Sequence, residues 1–277
     1  NWTDSGQSVE RFRFLGTNQT VNIAGWSSLW FAEFFNGDPN HFRWSGEIAV
    51  ASVNDGDSAQ GRPDLFFGTE AGDHLVGMGG DDVLLGLAGD DVLEGGVGDD
   101  TLSGGAGNDT LRGGAGDDVL IGGEGVTNFD GGEGIDTADF SHQSQGVSAS
   151  LSGGLGADTF TDVENLVGSD FDDVLVGDDG DNVIDGGLGA DQVSGGGGHD
   201  TLLGSGGGDQ YDGGAGSDTV NYGAALSGVV ADLSTGGSAG AATGDTYLSI
   251  ENLVGSAFDD TLTGDDGANV LSGGDGH

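Results

Sequence analysis

The chain has 277 residues, 48 acidic side chains against 5 Lys+Arg, a formal net charge of −43, 62 glycines and no cysteine. That balance argues against nucleic acid or an anionic membrane surface as a partner, and the lack of thiols excludes a disulfide framework and thiolate metal sites. No apolar run approaches ~18 residues, so no membrane span is expected; no basic-then-apolar leader opens the chain, so a signal peptide is expected to be absent or already removed.

Residues 1–62 differ in composition from the rest. Trp2, Trp26, Trp30, Trp44, Phe12, Phe14, Phe31, Phe34, Phe35 and Phe42 are half of the chain's aromatic residues. Alternation at Phe12 and Phe14, and at Ile48 and Val50, predicts strands. A stacked repeat needs a cover over its first lap, so this segment is expected to be an aromatic-rich β cap or the remnant of a preceding domain. An aromatic sugar-binding face is the alternative, which leaves carbohydrate contact at a cell surface open. Asn54–Gly68 carries Asp55, Asp57 and Asp64 and loosely resembles the calcium loop of integrin-type propeller repeats, although inserted residues break that pattern.

From Gly68 the chain falls into nine-residue units of the form G-G-x-G-x-D-x-U-x, with U a large apolar residue. A first block spans 63–139, a second 168–221, and a third, 255–277, stops within a unit. Position eight is Leu75, Leu84, Leu93, Leu102, Leu111 and Leu120 in the first six units. One inward leucine flanked by Val or Thr fits a three-residue strand. The glycine-rich residues before it can turn tightly, because glycine adopts positive φ without steric cost. Strand, turn, strand, turn gives a flattened coil of 18 residues per lap, with laps stacked ~4.8 Å apart as parallel strands. The expected fold is all-β, a parallel β-roll.

Two spacers, 140–167 and 222–254, interrupt the units. They resemble each other and both close with ENLVGS, at Glu164–Ser169 and Glu251–Ser256. LFFGT at Leu65–Thr69 is a looser echo. Alternation at Val147, Ala149 and Leu151, and at Val229, Ala231 and Leu233, predicts strands. The spacers are expected to continue the solenoid as longer coils with looser loops; an excursion forming a binding patch is the alternative.

The unit resembles the nonapeptide of the RTX (repeats-in-toxin) family of secreted bacterial proteins, whose relatives form a parallel β-roll. Physical chemistry leads to a metal independently of that likeness. One buried leucine per nine residues returns less than the cost of ordering them. Residues 68–139 also hold 17 acidic side chains and one arginine, which repel on stacking. A hard divalent cation resolves both problems. Carboxylates and carbonyls in a flexible turn suit Ca²⁺ better than Mg²⁺, and scattered histidines disfavour zinc. Turns on one side are two units apart, so ligands should pair at 18 residues: Asp73/Asp91, Asp82/Asp100, Asp91/Asp109, Asp100/Asp118 and Asp118/Asp136, then Asp173/Asp191, Asp191/Asp209 and Asp200/Asp218. The resemblance implies one ion bridging each pair, completed by turn carbonyls. Asp260 falls in the same slot. Asn182 and Asn269 do too, without charge, and weaker or boundary sites are expected there. Thr127 replaces the Asp that would pair with Asp109, which puts that site in doubt.

No catalytic constellation is present. HExxH is absent, GGSAG at Gly236–Gly240 lacks the strand-to-helix frame of a nucleophile elbow, and His74, His142 and His199 read as surface residues without a partner. The expectation is a calcium-dependent, non-catalytic extracellular module of a larger bacterial surface protein (adhesin, S-layer or filament subunit), with self-association open. The alternative is the calcium-binding module of a secreted hydrolase. The chain begins without Met and ends mid-unit, so it is expected to be a piece of something longer. The resemblance implies export by the one-step type I route.

Overall fold

A computed structural model describes residues 63–276, together with the backbone of three short strands before them, Arg11–Arg13, Thr20–Asn22 and Phe42–Trp44. The first two pair antiparallel. The third adds in parallel to Leu65–Phe67. The aromatic cap, the sugar-binding face, the strand expected at Ile48 and Val50, and Asp55 and Asp57 of the proposed loop lie outside the described residues.

The nine-residue unit becomes a strand because its last three residues alternate in environment. In Val83–Ala88, Leu84 points inward while Val83 and Leu85 are half-buried. Leu84, Leu93, Leu102, Leu111 and Leu120 are fully buried. Pairing is parallel, with a constant offset of one lap: Leu84 opposes Leu102, Leu102 opposes Leu120, and Leu93 opposes Leu111. The strands leading away from and back to one face alternate, so two sheets form with a single file of apolar side chains between them. This is an all-β parallel solenoid, as the period requires.

The two faces are not equivalent. One is a continuous sheet of twelve strands, from Phe42–Trp44 through Leu65–Phe67 to Val270–Ser272. The other is divided into sheets of five, five and two strands. The divisions fall at the spacers. After Thr137–Asp139 on the long sheet, the chain lays Ser148–Ser150 against Val174–Val176 of the following lap. It then doubles back and lays Thr159–Thr161 against Asn128–Asp130 of the preceding lap. The second spacer repeats the manoeuvre. Val230–Asp232 pairs forward with Thr261–Thr263, and Thr246–Leu248 pairs back with Gln210–Asp212. Ala149 and Ala231 are buried at the centres of the forward strands. The spacers therefore are longer coils, as expected, but each contains a reversal that its alternation pattern does not announce.

Turn geometry explains the glycines. Gly96 and Gly98 have φ of 121° and 130°. A Cβ on either would collide with a carbonyl oxygen one lap below, that of Met78 or Gly80. Met78 and Leu87, which stand where later units have glycine, hold φ of 80°. Asp162 and Ser249, just after the return strands, also lie in the left-handed region, at 46° and 52°.

Candidate metal centre

The position-six side chains line the two edges of the roll. Outgoing turns, which leave the twelve-stranded sheet, carry Asp73, Asp91 and Asp109, then Asp173, Asp191 and Asp209, then Asp260. Returning turns carry Asp82, Asp100, Asp118 and Asp136, then Asn182, Asp200 and Asp218, then Asn269. Those from Asp73 to Asp218 are buried, Asp100, Asp118 and Asp191 to within 1% of full enclosure; Asp260 and Asn269 are half-buried.

Most of these carboxylates split their oxygens between two tasks; Asp173, Asp209 and Asp260 instead have protein donors on both oxygens. One oxygen joins neighbouring laps. Asp73 N–H donates to Asp91 Oδ1 at 2.7 Å, Asp82 to Asp100 at 2.7 Å, Asp91 to Asp109 at 2.9 Å, Asp100 to Asp118 at 2.7 Å and Asp118 to Asp136 at 2.8 Å. Asp173 donates to Asp191, Asp191 to Asp209 and Asp200 to Asp218 in the same way. These are the pairs at 18-residue spacing. The other oxygen is buried and has no protein partner: Oδ2 of Asp91, Asp100, Asp109, Asp118, Asp136, Asp191, Asp200 and Asp218, and Oδ1 of Asp73. A buried acceptor without a donor is strongly unfavourable.

Those oxygens converge with backbone carbonyls. A Cβ built on Gly86 would run into both Asp91 Oδ2 and the Gly104 carbonyl oxygen. Gly113 faces Asp118 Oδ2 and Gly131 O, and Gly195 faces Asp200 Oδ2 and Gly213 O. These turns are thus oxygen-lined cradles that only glycine leaves open. Among the described residues no three carboxylate or imidazole groups gather as a metal cluster, so backbone carbonyls must supply much of each ligand shell. An all-oxygen, flexible donor set fits Ca²⁺.

The protonation equilibria report the same unmet demand. Burial raises the carboxyls of Asp91, Asp100 and Asp191 to about 7, against the lowering effect of the backbone N–H each accepts; neighbouring aspartates raise them further. Burial likewise raises Asp118, Asp136 and Asp200 to about 6. These groups are held where a negative charge is costly unless a cation faces it.

A family model described as the RTX calcium-binding nonapeptide repeat matches residues 67–102, 94–128, 103–138, 160–193, 167–202, 188–220 and 248–277, more than half of the chain. The chain belongs to the RTX family. A search of curated proteins gives no match. RTX repeats bind Ca²⁺ at multiple sites, and this segment is a calcium-binding repeat module of the kind found in secreted bacterial proteins. The RTX β-roll is a structural module, not a catalytic one. No helix among the described residues is long and apolar enough to cross a membrane.

Several residues in the RTX ladder escaped the nonapeptide pattern. Asp136 N–H donates to Glu164 Oε2, and Asp218 N–H to Glu251 Oε2, both at the head of ENLVGS. Asp158 accepts from Thr127 N–H, and Asp245 from Asp209 N–H. The duplicated hexapeptide was the available signal for the two glutamates. Nothing local marks Asp158 or Asp245, because the reversal sets their spacing. Thr127 breaks the outgoing ladder: Asp109 N–H turns to the Val126 carbonyl instead. Asn182 spends both amide atoms on hydrogen bonds, accepting from Asp178 N–H and donating to the Glu164 carbonyl. Asn269 pairs similarly with Asp265.

The histidines are not partnerless. His74 lies 3.1 Å from Glu94, which also meets Arg112 at 3.2 Å. His142 contacts the Ser141 hydroxyl, and His199 Nδ1 accepts from Ser217 N–H. For His74 and His199 the cause is the stack itself, which places residues about one lap apart side by side. At Gly236–Gly240, Ser238 N–H is bonded to Val230 O beside the short 3₁₀ turn Gly240–Ala242, a frame unlike a nucleophile elbow.

Proposed function

We propose that this module is a calcium-dependent, non-catalytic scaffold within a larger protein at the bacterial cell surface, an adhesin, S-layer or filament subunit, which folds after export. The observation that carries the reading is the row of buried carboxylate oxygens without protein partners. Without a cation their desolvation and mutual repulsion oppose closure of the stack. Bound calcium supplies the positive charge that offsets both. In a cytosol poor in calcium the chain stays open and can be threaded through an exporter. Outside, calcium near ~10⁻³ M exceeds dissociation constants of ~10⁻⁴–10⁻³ M typical of extracellular modules, and the roll closes.

The test is circular dichroism and hydrodynamic radius of the chain, with calcium and with chelator. Above neutral pH, where the buried carboxyls are ionised, strand signal and compactness should appear only with calcium. Their persistence after complete calcium removal would refute the folding mechanism. Hydrolysis of peptide, ester or polysaccharide substrates by this chain alone would refute the non-catalytic role.

A further inference from the structure

Each spacer breaks the ladder on one edge of the roll and preserves it on the other. On the returning edge the cradle survives the insertion. A Cβ on Gly131 would meet Asp136 Oδ2 and the Asp162 carbonyl oxygen, and one on Gly213 would meet Asp218 Oδ2 and the Ser249 carbonyl oxygen. In regular laps that carbonyl belongs to a glycine; here the left-handed backbone of Asp162 and Ser249 aims it at the same place. Both carboxylate oxygens are buried and without a protein partner.

The outgoing edge is closed differently. Phe140 and Tyr222 replace the first glycine of the turn, 18 residues after Gly122 and Gly204, and both are buried. The Tyr222 ring fills the space beside Gly204 that a carboxylate oxygen holds in regular turns. Its hydroxyl donates to Asp245 Oδ2 and meets the Tyr247 hydroxyl at 2.6 Å. Tyr211, stacked on Tyr247, donates to Asp209 Oδ2 at 3.0 Å, and the Ser205 hydroxyl donates to the same oxygen at 3.4 Å. Neither Asp209 nor Asp245 has an oxygen left for an ion in the way Asp218 does. The first spacer repeats the arrangement in apolar form: Phe129 stacks on Phe160 at 5.2 Å, with Phe140 set edge-on to both.

We propose that the two spacers are one-sided calcium joints. On the returning edge the Asp162 and Ser249 carbonyls complete calcium sites with Asp136 and Asp218. On the outgoing edge the triads Phe129/Phe140/Phe160 and Tyr211/Tyr222/Tyr247 take the place of the ion, and Asp209 is not a ligand. This rests on the calcium reading of the cradles, and it removes one ligand that the spacing had assigned.

Asp209→Asn and Asp218→Asn test it within a single spacer. Both keep the Oδ1 acceptor that joins neighbouring laps, and both alter only the second oxygen. Calcium bound per full chain is counted by equilibrium dialysis with radiocalcium, with circular dichroism at saturating calcium to confirm folding. Asp218→Asn should bind one ion fewer, and Asp209→Asn the same number as the unaltered chain. Loss of an ion from Asp209→Asn, or a full complement in Asp218→Asn, overturns the proposal. Tyr222→Phe keeps the ring and gives an independent reading: its ion count should not change, and a gained or lost ion overturns the aromatic closure. An unaltered chain that binds no calcium would instead overturn the underlying calcium reading.

Discussion

Replacing Leu102 by alanine leaves every calcium ligand in place and removes only apolar packing. Leu102 is fully buried between Leu84 and Leu120 of the adjoining laps. Truncating such a leucine costs ~3 kcal/mol where the surroundings cannot collapse, and a stack fixed by ladder hydrogen bonds on both sides has little room to do so. If folding and ion binding are one equilibrium, that loss must be made up by calcium. Each bound ion adds RT ln([Ca²⁺]/Kd) above its dissociation constant; shared over about ten ions, the deficit is about 0.3 kcal/mol each and raises the calcium midpoint of folding ~1.7-fold. The steepness of the transition and the number of ions at saturation should not change. Asp118→Asn makes the contrast: it should bind fewer ions and fold with a shallower transition. The assay is a calcium titration followed by circular dichroism, with dialysis counting on the same samples. A Leu102→Ala chain that folds at the unaltered midpoint, or that loses ions while remaining fully folded, would refute the coupling.

The remaining expectations follow from particular residues. In chelator, acid should promote strand formation. The folded carboxyls of Asp91, Asp100 and Asp191 sit at about 7, above the unfolded value of ~3.9. The metal-free fold therefore holds more protons than the open chain; its stability is fullest below ~4 and is lost as pH rises to about 7. Circular dichroism of the chelated chain from pH 7 to 4 checks this, and strand signal falling with acid would contradict it. Gly98→Ala should destabilise the calcium-loaded fold by at least ~1–2 kcal/mol, because a left-handed residue there also drives its Cβ into the Gly80 carbonyl. Val97→Ser, at an exposed neighbouring site, should shift thermal unfolding little. Arg112→Ala should change stability by less than ~1 kcal/mol, since its pairing with Glu94 is exposed; a large loss of thermal stability would show that this surface chain of charges matters more than its solvation implies.

What the sequence made legible is what repeats. A leucine every nine residues set strand, register and core, and an aspartate in a fixed slot set the 18-residue pairs. Thr127 marked the broken pair because it lacks the carboxylate the slot needs. The reversal in each spacer was hidden, because Val147, Ala149 and Leu151 report that a strand exists and not which lap it joins. Partner choice there depends on a loop returning to an earlier lap, a long-range event that leaves no periodic trace. Asp158 and Asp245 were missed for that reason, and Glu164 and Glu251 because a longer side chain does the work of an aspartate from a different spacing. His74 and His199 misled in the opposite direction: isolation along the chain says nothing about neighbours one lap away.

The acidity of the chain divides into two populations that composition merges. Most position-six aspartates are buried and leave a second oxygen without a protein donor, Asp100, Asp118 and Asp191 among them. Position five is exposed in Asp81, Asp99 and Asp117, and its Oδ1 accepts the N–H of the residue one lap above: Asp99, Asp117 and Ile135 respectively. The slot tolerates neutral substitutes. Asn108 accepts from Val126 N–H, and His199 from Ser217 N–H, in the same geometry. What position five requires is an acceptor, and water can solvate whatever charge comes with it. What position six requires is charge in a place that water does not reach, which is why amides appear there only where the ladder meets a spacer or thins toward the last laps, at Asn182 and Asn269. On the calcium reading proposed above, the ions neutralise the inner row, while the outer row keeps the folded module strongly anionic and its surface hydrated.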